Sequence, residues 1–278
     1  MKISIVITTF NRKYALAELL DSIHYQTVLP YEIIIVNDCG ESIEDLAEIY
    51  SDLPITIYNL VENMKHVHAR NTGIKRATGD AIMLCDDDDY LTKGHIERMA
   101  NALHDADFVY SDAEIVDFME KKNIRFPISR RLFAYEFDLK GMREFSTYVP
   151  SGSLYRREIH EEIGLFDPEV HNYWDWDFFL RVAEKFVIKR VPVASVIYAF
   201  SEAGNNQSAQ LNTRREGFLK KLCKKHQLGI LPAKNFFVLL EEPKMKLREA
   251  KSEIVWDGEP LFSKLMKVGE RIEFSVTK

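Results

Sequence analysis

Residues 81–89 read AIMLCDDDD, an apolar run that passes without a break into four consecutive aspartates. A short apolar run that stops abruptly at polar residues suits a buried strand. Three segments of the same kind precede it: Lys2–Thr8 (KISIVIT), Glu32–Asn37 (EIIIVN) and Ile55–Leu60 (ITIYNL). Between them lie helix-like stretches. Arg12–Gln26 sets Leu16, Leu19, Leu20 and Ile23 at helical spacing, and Ser42–Tyr50 and Val67–Ala77 follow. A β-α-β-α order with continuously apolar strands predicts an α/β fold, a mainly parallel sheet with helices on both faces. No Gly-x-Gly-x-x-Gly follows the first strand, so the usual dinucleotide fingerprint is missing.

Beyond Asp89 the pattern predicts a helix over Lys93–His104 and strands at Phe108–Phe118 and Ile124–Ile128. An irregular polar loop is expected over 129–147, with Arg130-Arg131 as a solvated face. A strand near Gly152–Tyr155, a helix over Tyr173–Lys185 and a strand pair near Val187–Phe200 complete the expected core. Residues 209–278 carry the basic clusters KKLCKKH and KMKLREAK beside FFVLL, and read as a mainly helical C-terminal appendage. The Lys220–Lys225 run reads as another solvated face.

The chain has 278 residues, 46% of them hydrophobic and 29% charged, which suits one large domain with a smaller addition. A net charge of −6 gives no general attraction to nucleic acid. Cys39, Cys85 and Cys223 form neither a zinc spacing nor a disulfide framework, as suits a reducing cytoplasm. The N-terminal run reads as a strand rather than a signal peptide, and no stretch is long and apolar enough to span a bilayer. Contact of the basic C-terminal region with the inner membrane surface is a further expectation.

Ligands of open parallel sheets bind beyond the carboxyl ends of the strands. Here those ends carry Thr8, Thr9, Phe10, Asn11 and Arg12, then Asn37 and Asp38, then Asp86, Asp87, Asp88 and Asp89. That edge offers an aromatic ring, a carboxylate suited to a base N–H and a cluster of acids. On a strand, Asp86 and Asp88 would face one way and Asp87 and Asp89 the other. Hard oxygen ligands in small number suit Mn²⁺ or Mg²⁺ shared with a diphosphate. The plainer reading is a solvated acidic turn capping the next helix.

VITTFNR, IIIVNDCG, ENMKHVHARNTGI and IMLCDDDDYL occur in the order and spacing of the family 2 glycosyltransferases with the GT-A fold. PSGSLYRRE, IGLFDPEV and YWDWDFFLRV continue the resemblance, which covers residues 2–208. It implies an inverting transfer from a nucleotide-sugar donor, with UDP-sugars favoured, to a carbohydrate or lipid-linked acceptor in surface polysaccharide or glycoconjugate synthesis. It implies a donor half over 1–90 and an acceptor half over 91–208. Thr8, Phe10, Asp38 and Arg70 resemble the positions that border the nucleotide. Asp86, Asp87 and Asp88 resemble the DxD region, with either Asp88 or Asp89 on the metal.

The resemblance also makes Asp175 the general base, and helix geometry supports that choice. Phe179, Val182, Ala183 and Phe186 define a buried stripe in line with Asp175. Asp177 lies about 200° away and four residues before Arg181, where an ion pair accounts for it. Of Trp174 and Trp176, one is expected in the core and the other as an acceptor platform; Gly152 is assigned to the acceptor side with them. The chain departs from the family at Asn37, Cys39-Gly40, Trp174 and Lys65, where a glycine is common. Ser201 stands near the place of a metal-binding His, for which His171 is the candidate substitute. His66 and His68 would not share a helix face, and the Asn206-Gln207-Ser208 sequon means little in a cytoplasmic protein. The contrasting expectation is a catalytically silent sugar-nucleotide-binding or scaffold subunit, and an oligomer fits either.

Overall fold

The computed structural model describes residues 1–199, 213–234 and 236–266. Ser201, the 206–208 sequon and the boundary at 208 lie outside the described residues. Strands β1 (Ile3–Thr9), β2 (Glu32–Asn37), β3 (Ile55–Asn59) and β4 (Ala81–Asp86) pair in parallel in the order β4-β1-β2-β3. Every residue of β1 is buried, and the alternation of its side chains shows why. Ile3, Ile5 and Ile7 pack with Leu16, Leu19, Leu20 and Ile23 of helix α1 (Lys13–His24). Val6 faces the other way, towards Val67 and Ile74 of helix α3 (His66–Arg76). Both faces are covered, so the strand reads as one apolar run. Helix α2 (Glu44–Ile49) adds Leu46 to the α1 side. α3 approaches β1 so closely that a Cβ on Gly73 would stand 2.5 Å from Val6 Cγ1.

The second half contains β5 (Tyr90–Leu91), α4 (His95–Ala102), β6 (Phe108–Lys121), β7 (Ile124–Phe133), α5 (Leu139–Met142) and β8 (Leu154–Arg156). It continues through α6 (Ile159–Ile163), α7 (Trp174–Ala183) and β9 (Ile188–Ala199). β8 runs antiparallel between β4 and β6 and joins the halves into one sheet.

Two expectations change here. The hairpin strand β7 reaches Phe133, so 129–133 is strand rather than loop. Its charged residues are paired: Arg130 donates two 2.8 Å bonds to the buried Glu114, and Arg131 lies 2.7 Å from Glu241. Of the strand pair expected near Val187–Phe200, the described residues, which end at Ala199, form one strand, β9. Pro192 is tolerated because the register against β6 slips beside it, with Val191 facing Ser111 and Ala194 facing Asp112.

The C-terminal part contributes α8 (Thr213–His226), α9 (Phe236–Leu240), α10 (Pro243–Lys246) and the short strand β10 (Glu253–Ile254), which extends the sheet beside β9. Leu219 and Leu222 of α8 pack on Trp176 and Leu180 of α7. Leu240 and Met245 enter the main core, and the Lys264 amide donates to Asp21 on α1 at 2.7 Å. The Lys220–Lys225 run is not simply solvated, since Lys221 pairs with Glu169 and Lys225 with Asp167.

Candidate active site

A cleft of about 500 Å³ opens where β1, β2 and β4 end and α3 and α7 begin. It gathers Thr8, Phe10, Asp38, Arg70, Asp86, Asp87, Asp88, Trp174 and Asp175, which come from both halves of the chain. Asp38 accepts the Met64 amide at 2.7 Å while still lining the cleft. Phe10 keeps 46% of its surface exposed at the rim of the cleft.

The four aspartates do not alternate as on a strand, because β4 ends at Asp86 and the chain turns, with the Asp89 amide donating to the Asp86 carbonyl at 3.2 Å. Asp86, Asp87 and Asp88 therefore line the cleft. Asp89 points inward, wholly buried, and accepts the Ala199 amide at 2.9 Å. Cations from distant sequence hold the turn. Arg12 pairs with Asp88 and, at 3.3 Å, with Asp87; Arg70 pairs with Asp86 and lies 4.0 Å over the Trp174 ring. Arg125 of β7 donates to the Asp88 carbonyl at 2.5 Å and to Glu18 at 2.6 Å. Burial, reinforced by Asp88, pushes the Asp87 carboxyl up to about 7, and burial also raises Asp88 and Asp89.

Among the described residues no group of three or more His, Cys, Asp and Glu is arranged to cage a metal ion. A small hard cation shared with a diphosphate needs only one or two carboxylates. Asp86 and Asp88 meet that requirement, with 29% and 22% of their side chains exposed to the cleft. His171 does not join them. Its ring lies tilted against His66, with centroids 4.3 Å apart, in a strained backbone (φ 29°, ψ −82°), and burial, reinforced by nearby cations, lowers its basicity.

Asp175 stands in the first turn of α7, half-buried at the cleft wall. Burial pushes its carboxyl up to about 6, against the pull of the helix amides. Asp177, two residues on, is wholly buried and turned away. It accepts from Arg181 at 2.9 Å, as its spacing predicts, and lies 2.8 Å from His226 and 2.7 Å from Lys225 of α8. Burial tends to raise it, and these donors hold it below the usual carboxylate range.

Trp174 is 7% exposed, and its ring carries Arg70 and meets Phe166. Trp176 donates its indole N–H to the Met142 carbonyl at 2.6 Å and faces a second cavity of about 170 Å³. That cavity meets the cleft at Asp175, Asn172, Pro150 and Tyr198, and its far walls come from α8, α9 and the segment between them. Gly152 does not line the cleft. It sits at φ 76°, where a Cβ would meet Val196 and His95 within 2.8 Å, so its place is a packing requirement.

Sequence reasoning assigned no role to Arg12, Asn63, Asn172 or Tyr198, all of which line the cleft. Arg12 lies within VITTFNR, but its partner Asp88 lies 76 positions away. Lys65 also lines the cleft, with φ 70° and ψ 157°. That backbone region is essentially glycine's, and a side chain there costs about 1–3 kcal/mol.

The profile of Glycosyl transferase family 2 matches residues 4–164. The uncharacterized glycosyltransferase YwdF of Bacillus subtilis strain 168 is 64% identical over 265 residues, covering 95% of this chain and 99% of that one. The amylovoran biosynthesis glycosyltransferase AmsB of Erwinia amylovora is 26% identical, covering 69% of this chain and 68% of AmsB. Among solved structures, residues 1–349 of S. aureus TarS in complex with UDP-GlcNAc align with a TM-score of 0.63 at 18% identity. That match covers 84% of this chain and 68% of that one. The mannosyltransferase PcManGT of Pyrobaculum calidifontis, in complex with GDP-Man and Mn²⁺, aligns at 0.58 and 16% identity, covering 83% and 66%. At these identities the structural matches speak for a shared fold.

Proposed function

This chain belongs to glycosyl transferase family 2, and from that premise we propose an inverting transfer from a nucleoside diphosphate sugar to an acceptor hydroxyl. The observation that carries the proposal is the meeting, in one cleft, of Asp38, the Asp86–Asp88 turn and Asp175 with its raised carboxyl. Asp38 accepts from a base N–H, which favours uridine, and Phe10 covers the base. The GDP-Man complex of PcManGT and the UDP-GlcNAc complex of TarS support a nucleotide-sugar donor.

Asp86 and Asp88 would hold Mn²⁺ or Mg²⁺, which supplies positive charge for the leaving diphosphate; the Mn²⁺ in the PcManGT complex supports the use of a divalent metal. Arg70 and Arg12 keep the acid turn in place. Asp175 removes the acceptor hydroxyl proton. The freed oxygen electron pair forms the bond to the anomeric carbon as the bond to the diphosphate oxygen breaks on the opposite side, so configuration inverts. A base with a carboxyl near 6 is ionised at neutral pH yet more basic than an ordinary aspartate. The acceptor reaches it through the second cavity, which opens on the other side of the same residue. AmsB, named for amylovoran biosynthesis, supports a polysaccharide as the class of product. Among the described residues no helix is long and apolar enough to cross a membrane.

The test is thermal unfolding with UDP, dTDP, GDP and CDP, each with and without Mn²⁺. A ligand at 100 times its Kd adds about 2.7 kcal/mol of stability. One nucleotide should raise the midpoint, and more so with metal; no shift with any of them refutes the donor site. Transfer with retained anomeric configuration, read by NMR of the product, would refute the single displacement.

A further inference from the structure

Lys65 occupies a backbone conformation that glycine adopts freely and a side chain does not. Nothing local rewards the lysine. Its side chain makes no capping bond to α3, and it is exposed to the cleft. Among the described residues no carboxylate lies within ion-pair distance of its ammonium.

The charge of the cleft gives the lysine a purpose. Asp38, Asp86, Asp87, Asp88 and Asp175 line it, against Arg12, Arg70 and Lys65. Arg12 is committed to Asp87 and Asp88, and Arg70 to Asp86. A nucleoside diphosphate entering this cleft adds negative charge and meets two cations that are already engaged. Lys65 is also well placed along the chain. The Met64 amide before it is fixed on Asp38, and its own carbonyl accepts the Ala69 amide in the first turn of α3. It therefore lies between the acid assigned to the base and a helix start, where backbone amides favour anions.

Resting on the donor reading above, we infer that Lys65 is a charge contact for the phosphoryl groups of the donor, and that its strained backbone is retained because only a side chain there brings an uncommitted cation to the cleft.

Calorimetric titration tests this with whichever of UDP, dTDP, GDP or CDP stabilises the wild type most, in Mn²⁺ and at two salt concentrations. Lys65→Met keeps the backbone strain and loses the charge; it should bind about tenfold more weakly, with a shallower salt dependence. Lys65→Arg should stay near wild type. Lys65→Gly should lose affinity as Lys65→Met does, while its ligand-free melting midpoint rises because the strain is relieved. Wild-type affinity in Lys65→Met, or an equal loss in Lys65→Arg, overturns the inference and leaves the donor reading intact. A wild type that binds none of the four nucleotides overturns both.

Discussion

Asp175→Asn should make the protein more stable while it removes transfer. Burial raises the Asp175 carboxyl from 3.8 to about 6, a rise that corresponds to about 3 kcal/mol. The folded protein thus holds this proton to higher pH than the unfolded chain does. The group does no harm below about pH 4. Its destabilising effect grows between about pH 4 and pH 6, where the unfolded chain has released the proton and the folded state still holds it, and is complete above that, where the folded state buries a charge the unfolded chain solvates freely. Asparagine has no such charge, so the variant should gain about 2–3 kcal/mol over wild type at pH 7.5 and almost nothing near pH 4. Urea unfolding of metal-free protein at several pH values reads the difference directly. Turnover should fall about 10²–10⁴-fold, the usual contribution of a general base. A variant no more stable than wild type at pH 7.5, or a stability difference that ignores pH, would refute the reasoning. So would normal turnover.

Asp177→Ala, two residues away, should do the opposite and cost about 3–5 kcal/mol in urea unfolding, because Arg181, Lys225 and His226 lose a buried partner. Asp88→Asn should abolish the part of the nucleotide-induced midpoint shift that depends on Mn²⁺, whereas Asp89→Asn, buried away from the cleft, should keep it. Gly73→Ala should destabilise by about 1–3 kcal/mol despite alanine's better helix propensity, because its Cβ would overlap Val6 Cγ1. The double variant Gly73→Ala/Val6→Ala should lose less than the sum of its single changes, as a double-mutant cycle of denaturation energies would show.

The first half of the fold was legible because β1, β2 and β4 are buried on both faces. Such strands are written as uninterrupted apolar runs, and β2 falls where EIIIVN places it. The second half misleads because its polar residues are paired rather than solvated. Arg130 on Glu114 and Arg190 on Asp112 hold β7 and β9 in the sheet with side chains that read as surface. Position along the sequence says nothing of such partners, and Arg12 with Asp88 is the same case at the site. The aspartates show a different failure. Alternation is a rule for strands, and the chain had already begun to turn at Asp87, which puts three acids on one side. Lys65 was visible as a departure from glycine, but its strain belongs to the backbone and appears only with the dihedral angles.

The two acids of α7 tie helix α8 to the residue proposed as the base. Asp175 must be partly desolvated to be a better base than an ordinary aspartate, and that desolvation destabilises the helix turn that carries it. Asp177 lies on the opposite side of the same turn, and three donors hold it as an anion. Two of them, Lys225 and His226, come from α8. The favourable site therefore offsets the unfavourable one within a single turn, and it depends on a segment about fifty residues further along the chain. α8 also supplies Leu219 to the wall of the second cavity and packs on Trp176 beneath it. One helix thus anchors the turn that bears the proposed base and bounds the cavity proposed for the acceptor. A truncation before Thr213 should then cost both stability and transfer, even though among the described residues the cleft takes no side chain from beyond Ala199.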